Sequence, residues 1–106
     1  MSWAPITSTN NSQEISSSWI KENMNKGKFI LVDCREQYEW DVDYIEGSLL
    51  CPLSDWESSS KKIPNHTPVV VYCRSGKRSL IATNDLLSKG YKAASMVGGI
   101  LNFRKG

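Results

Sequence analysis

The chain has 106 residues, with 13 Lys and Arg against 11 Asp and Glu and a formal charge of +2. That length makes one domain able to bury a core without disulfides or a metal. A charge so near zero gives no basis for a nucleic-acid or membrane-surface partner.

Three cysteines without a CxxC pair, and a single histidine, argue against a disulfide framework and a zinc site. Free thiols point to a reducing compartment, the cytoplasm. No apolar run is long enough to span a bilayer. The polar residues 1–13, rich in Ser, Thr and Asn, read as a loose N-terminal arm that Trp3 and Ile6 anchor. The start of the arm lacks a basic region followed by an apolar run, so it is no signal peptide. Residues 14–106 form the domain.

Ile15 ends a short strand. Ser16, Ser17 and Ser18 offer capping oxygens, and Trp19, Ile20 and Met24 recur at helical spacing up to Gly27. Residues 29–32 are continuously apolar, a strand that ends in the polar cluster Asp33, Cys34, Arg35 and Glu36. Residues 37–42 read as a short helix, 45–48 as a turn and 49–51 as a third strand closed by Pro52. A helical turn or two follows over 53–59. Residues 58–62, with Lys61 and Lys62, read as a solvated linker.

Residues 69–72, Val-Val-Val-Tyr, are apolar throughout, the pattern of a strand covered on both faces. After Cys73 and a loop, a helix over 78–89 buries Leu80, Ala82, Thr83, Leu86 and Leu87. Ile81 falls among its polar residues, and the pattern offers no reason for it. Gly90 ends that helix, 91–97 hold a last strand, and Gly98-Gly99 starts a final helical turn with Ile100, Leu101 and Phe103. Strands alternating with helices predict an α/β fold, a central parallel sheet of about five strands with helices on both faces.

The chemistry gathers in Cys73-Arg74-Ser75-Gly76-Lys77-Arg78-Ser79. Cys73 ends a strand, where open α/β sheets place their ligands. Gly76 permits a sharp turn. The amides of residues 74–79 can form an anion nest, the next helix adds its positive end, and Arg74, Lys77 and Arg78 add three cations. An ordinary thiol with a pKa of about 8.5 is roughly 3 % ionised at pH 7. A shift to about 6.5 makes it roughly three-quarters thiolate, for about 2.7 kcal/mol. Three reactions use such a loop: phosphate-ester hydrolysis, arsenate reduction and sulfur transfer. A cysteine phosphatase needs Arg six positions after Cys, but Arg78 is five positions after Cys73. Arsenate reduction meets a similar spacing problem and needs further reducing cysteines. A single sulfur atom needs the smaller cradle.

Cys73, Gly76, Arg78 and Ser79 match the pattern CxxGxRS, and the chain resembles a single-domain rhodanese. Residues 33–40 resemble the family's D-x-R-E-x-x-E-[YF] element, 44–48 its H-I-P-G-A, 50–53 its N-I-P-L, and Gly98-Gly99 with Phe103 its closing G-G-x-x-x-W. Departures are Asp43-Tyr44 for Gly-His, Glu46 and Ser48 for Pro and Ala, and Phe103 for Trp. The resemblance implies a thiosulfate sulfurtransferase without metal or organic cofactor. Cys73 takes sulfane sulfur from thiosulfate or a persulfide donor, a protein persulfide partner included, and hands it to cyanide or a thiol. Arg74 and Lys77 hold the anionic donor, and Arg78 braces the loop by pairing with Asp33 or Glu36. Arg35 closes the sheet edge. Cys34 reads as a small core residue, with a resolving thiol as the alternative, and Cys51 as core. The rivals are a rhodanese-like module that only binds proteins, and a cysteine phosphatase or arsenate reductase.

Overall fold

The computed structural model describes residues 6–7 and 13–105, with only the backbone of Ile6 and Thr7. Trp3 and the side chain of Ile6, the expected arm anchors, lie outside the described residues. The chain runs β1 (Ile6–Thr7), β2 (Gln13–Ile15), α1 (Ser17–Asn23), β3 (Ile30–Asp33), α2 (Gln37–Val42), β4 (Leu49–Leu50), α3 (Trp56–Ser59), β5 (Val69–Tyr72), α4 (Lys77–Ser88), β6 (Ala93–Met96) and α5 (Gly99–Lys105). The sheet order is β1-β2-β6-β5-β3-β4. The five strands β2 to β6 pair in parallel, as the alternating pattern requires. A sixth, β1, comes from the segment read as a loose arm and pairs antiparallel to β2.

Alternation along β3, β5 and β6 divides the core in two. Val32, Cys34, Val69, Val71, Cys73 and Ala93 face Trp56 of α3 and Ala82 and Leu86 of α4. Leu31, Val70, Tyr72, Ala94 and Met96 face Ile20 of α1 and Ile100 and Phe103 of α5. Helices therefore cover both faces, which is why the central strands carry no polar alternation.

The segment read as a solvated linker is exposed at Ser58, Lys61 and Lys62 but is helical and not a linker. Residues 58–62 complete α3 and a following 3-10 turn, Ser60–Lys62, in which Ser59 and Ser60 are buried. Ser59 donates to the Pro52 carbonyl at 3.1 Å, and the Lys62 ammonium to the Leu50 carbonyl at 2.7 Å. Polar composition concealed this segment because the Ser59 hydroxyl finds a backbone partner inside the fold. Ile81 is 61 % exposed, on the solvent side of α4, so it sits with the polar residues because it is not core. Among the described residues no helix is long and apolar enough to cross a membrane.

Candidate active site

Cys73 follows β5 at the carboxyl edge of the sheet and is 1 % exposed. The Gly76 amide donates to its Sγ at 3.1 Å and the Ser79 amide at 3.4 Å. Gly76 is the N-cap of α4, with φ of +103°, and Ser79 is its third residue. The sulfur thus occupies the place of a capping oxygen at the positive end of the helix. The Ser79 hydroxyl lies 3.5 Å from Sγ and 2.7 Å from the Ser95 hydroxyl of β6. With Sγ ionised, Ser95 can donate to Ser79 and Ser79 to the sulfur, so both buried hydroxyls have partners.

Cys34 is the other neighbour. Asp33 pairs with Tyr72, and the Cys34 amide continues the ladder by donating to the Tyr72 carbonyl at 3.0 Å. Cys34 therefore lies beside Cys73, and both belong to the same buried cluster. The neighbouring Cys34 thiol does most to hold the Cys73 thiol down at about 4. Burial opposes it, while the Ser79 hydroxyl and the Ser79 and Gly76 amides reinforce it. The neighbouring Cys73 sulfur, with burial, pushes the Cys34 thiol far above its ordinary range. Burial pushes Cys51 up to about 11. One of three free thiols is poised to ionise, and it is the one in the loop.

The loop is carried from behind by α5. The Ile100 amide donates to the Cys73 carbonyl at 2.9 Å and the Leu101 amide to the Arg74 carbonyl at 3.2 Å. A Cβ on Gly99 would collide with those two carbonyl oxygens, so the backbones meet closely only because position 99 has no side chain.

Arg78 does not pair with Asp33 or Glu36. Its two terminal nitrogens donate to Glu39 of α2 at 2.7 and 2.9 Å, and this guanidinium holds the Glu39 carboxyl down at about 2. Asp33 is engaged by Arg35, whose Nε and second terminal nitrogen donate to it at 3.0 and 2.8 Å. Arg35 also donates to the Asp43 carbonyl at 2.7 Å and lies over the Tyr72 ring, so it ties the segment before β4 to the sheet edge. Glu36 accepts from the Ser54 hydroxyl at 2.6 Å and makes no bond to the loop. Of the three residues expected to support the loop, Asp33 and Arg35 brace each other and Glu36 ties α2 to residues 53–55. Arg74, Ser75 and Lys77 are exposed at the mouth, and among the described residues neither Arg74 nor Lys77 is ion-paired. The expected site omitted Glu39, Ser95, Cys34 and Gly99. Glu39 had a signal as the second acid of the element at 33–40, Cys34 as a thiol ending a strand and Gly99 as half of the Gly98-Gly99 pair, whereas Ser95 had none.

The family model described as Rhodanese-like domain matches residues 16–105. The chain is 34 % identical over 80 residues to a tRNA sulfurtransferase of Desulfurococcus amylolyticus, a match covering 76 % of this chain and 16 % of that protein. It is 35 % identical over 81 residues to a probable adenylyltransferase/sulfurtransferase MoeZ of Mycobacterium tuberculosis, covering 74 % and 21 %. The chain thus spans only about a sixth to a fifth of these curated relatives. A rhodanese-related protein from Thermoplasma volcanium has a similar structure, with a TM-score of 0.81 and 25 % identity over 87 % of this chain and 90 % of that one.

Proposed function

The chain belongs to the rhodanese-like domain family, and on that premise we propose that it is a sulfurtransferase working through a persulfide on Cys73. The observation that carries this reading is the Cys73 sulfur itself, accepting from the Gly76 and Ser79 amides beside the Cys34 thiol. Such a shell of donors favours the thiolate, which is both the nucleophile and the leaving group the chemistry needs.

In the first step the thiolate attacks the outer sulfur of thiosulfate. A Cys73–sulfur bond forms, the donor's sulfur–sulfur bond breaks, and sulfite leaves with the electron pair. The terminal sulfur of the persulfide now carries the negative charge, beside the loop whose Gly76 and Ser79 amides held the thiolate. In the second step a thiol or cyanide attacks that terminal sulfur and Cys73 departs as thiolate, a two-stage ping-pong cycle. Arg74 and Lys77 supply positive charge where a dianionic donor arrives. A low-molecular-weight persulfide or a protein persulfide fits the same scheme as donor.

The position of Arg78 supports sulfur transfer over phosphate-ester hydrolysis. A phosphatase would turn that guanidinium into the loop to span the phosphoryl oxygens. Here both its terminal nitrogens are held by Glu39. Parallel assays of thiosulfate:cyanide transfer and aryl-phosphate hydrolysis test the reading. The expected result is transfer without hydrolysis, abolished in Cys73→Ser. Hydrolysis alone, or transfer that survives in Cys73→Ser, would overturn it.

A further inference from the structure

Cys34 does more than a core residue needs to do. It is fully buried, follows β3 by one residue as Cys73 follows β5, and shares a sheet face with Cys73. Neighbouring strands lie about 4.8 Å apart, within the Cα separations of about 4.4–6.8 Å that disulfides span. The register of β3 on β5 sets Cys34 beside Cys73 in one buried cluster, where its thiol favours the Cys73 thiolate. Cys51 follows β4, on the far side of β3, so two strand spacings separate it from Cys73.

We propose that Cys34 is a resolving thiol for Cys73: when no acceptor arrives, it attacks Sγ of the Cys73 persulfide, expels the cargo sulfur and leaves a Cys34–Cys73 disulfide. The proposal rests on the sulfurtransferase reading. The persulfide's sulfur–sulfur bond breaks and the Cys34–Cys73 bond forms. The cargo sulfur is reduced and departs as hydrosulfide, taking the Cys34 proton. The Cys34 sulfur is oxidised in exchange, so no outside oxidant enters. A dithiol reductant reopens the pair. In the resting protein the adjacent thiolate keeps Cys34 protonated and inert. Once Cys73 carries sulfur, the charge moves out to the terminal atom, and Cys34 faces a neutral, electrophilic Sγ. The chain thereby gains a second outcome, release of sulfide with self-closure of the site, as a limit on how long an unclaimed persulfide persists.

The test treats the reduced full chain with sodium thiosulfate, or with glutathione persulfide, without acceptor. Released sulfide is assayed, and Cys34-, Cys51- and Cys73-containing peptides are mapped by mass spectrometry. The wild-type protein should pass through a Cys73 persulfide to a Cys34–Cys73 disulfide, with stoichiometric sulfide. In Cys34→Ser, which keeps a hydroxyl donor, and in Cys34→Ala, the persulfide should last about tenfold longer or more and release no matching sulfide. Circular dichroism checks that both variants fold. Equal persulfide lifetimes in all three proteins, with no Cys34–Cys73 disulfide, would overturn the inference and leave the sulfurtransferase reading standing. Failure of both donors to place sulfur on Cys73 in every variant would overturn both.

Discussion

Arg78 and Glu39, 39 positions apart in the chain, meet in a two-pronged ion pair of 2.7 and 2.9 Å. The pair fastens the start of α4, and with it the Cys73 loop, to α2. It also removes from the cradle the side chain that a phosphate-binding loop would need inside it. Glu39→Gln should cost about 1 kcal/mol in urea unfolding at neutral pH, a modest figure because Arg78 is partly exposed and water screens the pair. Glu39 is held at about 2 in the fold against an ordinary value of 4.5. The pair's contribution is therefore full above the ordinary value and lost as pH falls through about 2. The wild-type and Glu39→Gln curves should converge in that window. A difference that stays constant with pH would contradict the assignment.

The thiolate itself can be titrated. Alkylation of Cys73 by iodoacetamide should keep its ionised rate far below neutral pH and reach half-maximum near a pH of about 4. Ionisation is lost as pH falls, because the folded pKa is depressed. Cys34→Ala removes the largest stabiliser of the thiolate, so its half-maximum should move upward. Peptide mapping separates Cys73 from the two thiols that are pushed up. A midpoint near the ordinary thiol value of about 8.5 would contradict the site described.

Arg74→Ala and Lys77→Ala should each raise KM for thiosulfate by roughly twofold to tenfold with a smaller change in kcat, since both cations stand at the mouth rather than at the sulfur. Salt should shrink the difference from wild type. A KM unchanged at low ionic strength would remove that residue from donor binding.

Gly99→Ala places a Cβ against the Cys73 and Arg74 carbonyls at a φ of +60°. The loss of stability should be about 1–3 kcal/mol, and sulfur transfer should fall further than the lost folded population explains. Gly90→Ala is the control: its φ is +90°, but nothing lies within 4 Å of the added atom. Its cost should appear in stability alone. Equal transfer rates in the two folded variants would show that α5 does not set the loop.

The sequence and the fold agree where a physical constraint acts locally. Val69–Tyr72 had to be apolar throughout because helices cover both faces of β5, so the strand and the position of Cys73 could be read directly. The loop could be read because its chemistry lies within seven consecutive residues. Ser95 could not, since its hydroxyl reaches Ser79 only through the parallel pairing of β5 with β6. The partner of Arg78 could not be chosen among the nearby acids either. Asp33 is taken by Arg35 and Glu36 by Ser54, and both choices depend on where α2 and residues 53–55 come to rest. Cys34 was visible as a thiol at a strand end, but its contact with Cys73 required the register of β3 on β5. The run 58–62 misled because a buried serine bonded to backbone is, in composition, indistinguishable from a serine in solvent.

The account turns on Cys73 as the carrier of sulfur. The most direct measurement is the intact mass of the reduced protein within seconds of mixing with thiosulfate, followed by peptide mapping under conditions that preserve persulfides. The expected result is the gain of one sulfur atom on the peptide bearing Cys73, removed again by cyanide and absent from Cys73→Ser. A protein whose mass does not change, or whose added sulfur maps to Cys34 or Cys51 in wild type and Cys73→Ser alike, would contradict it.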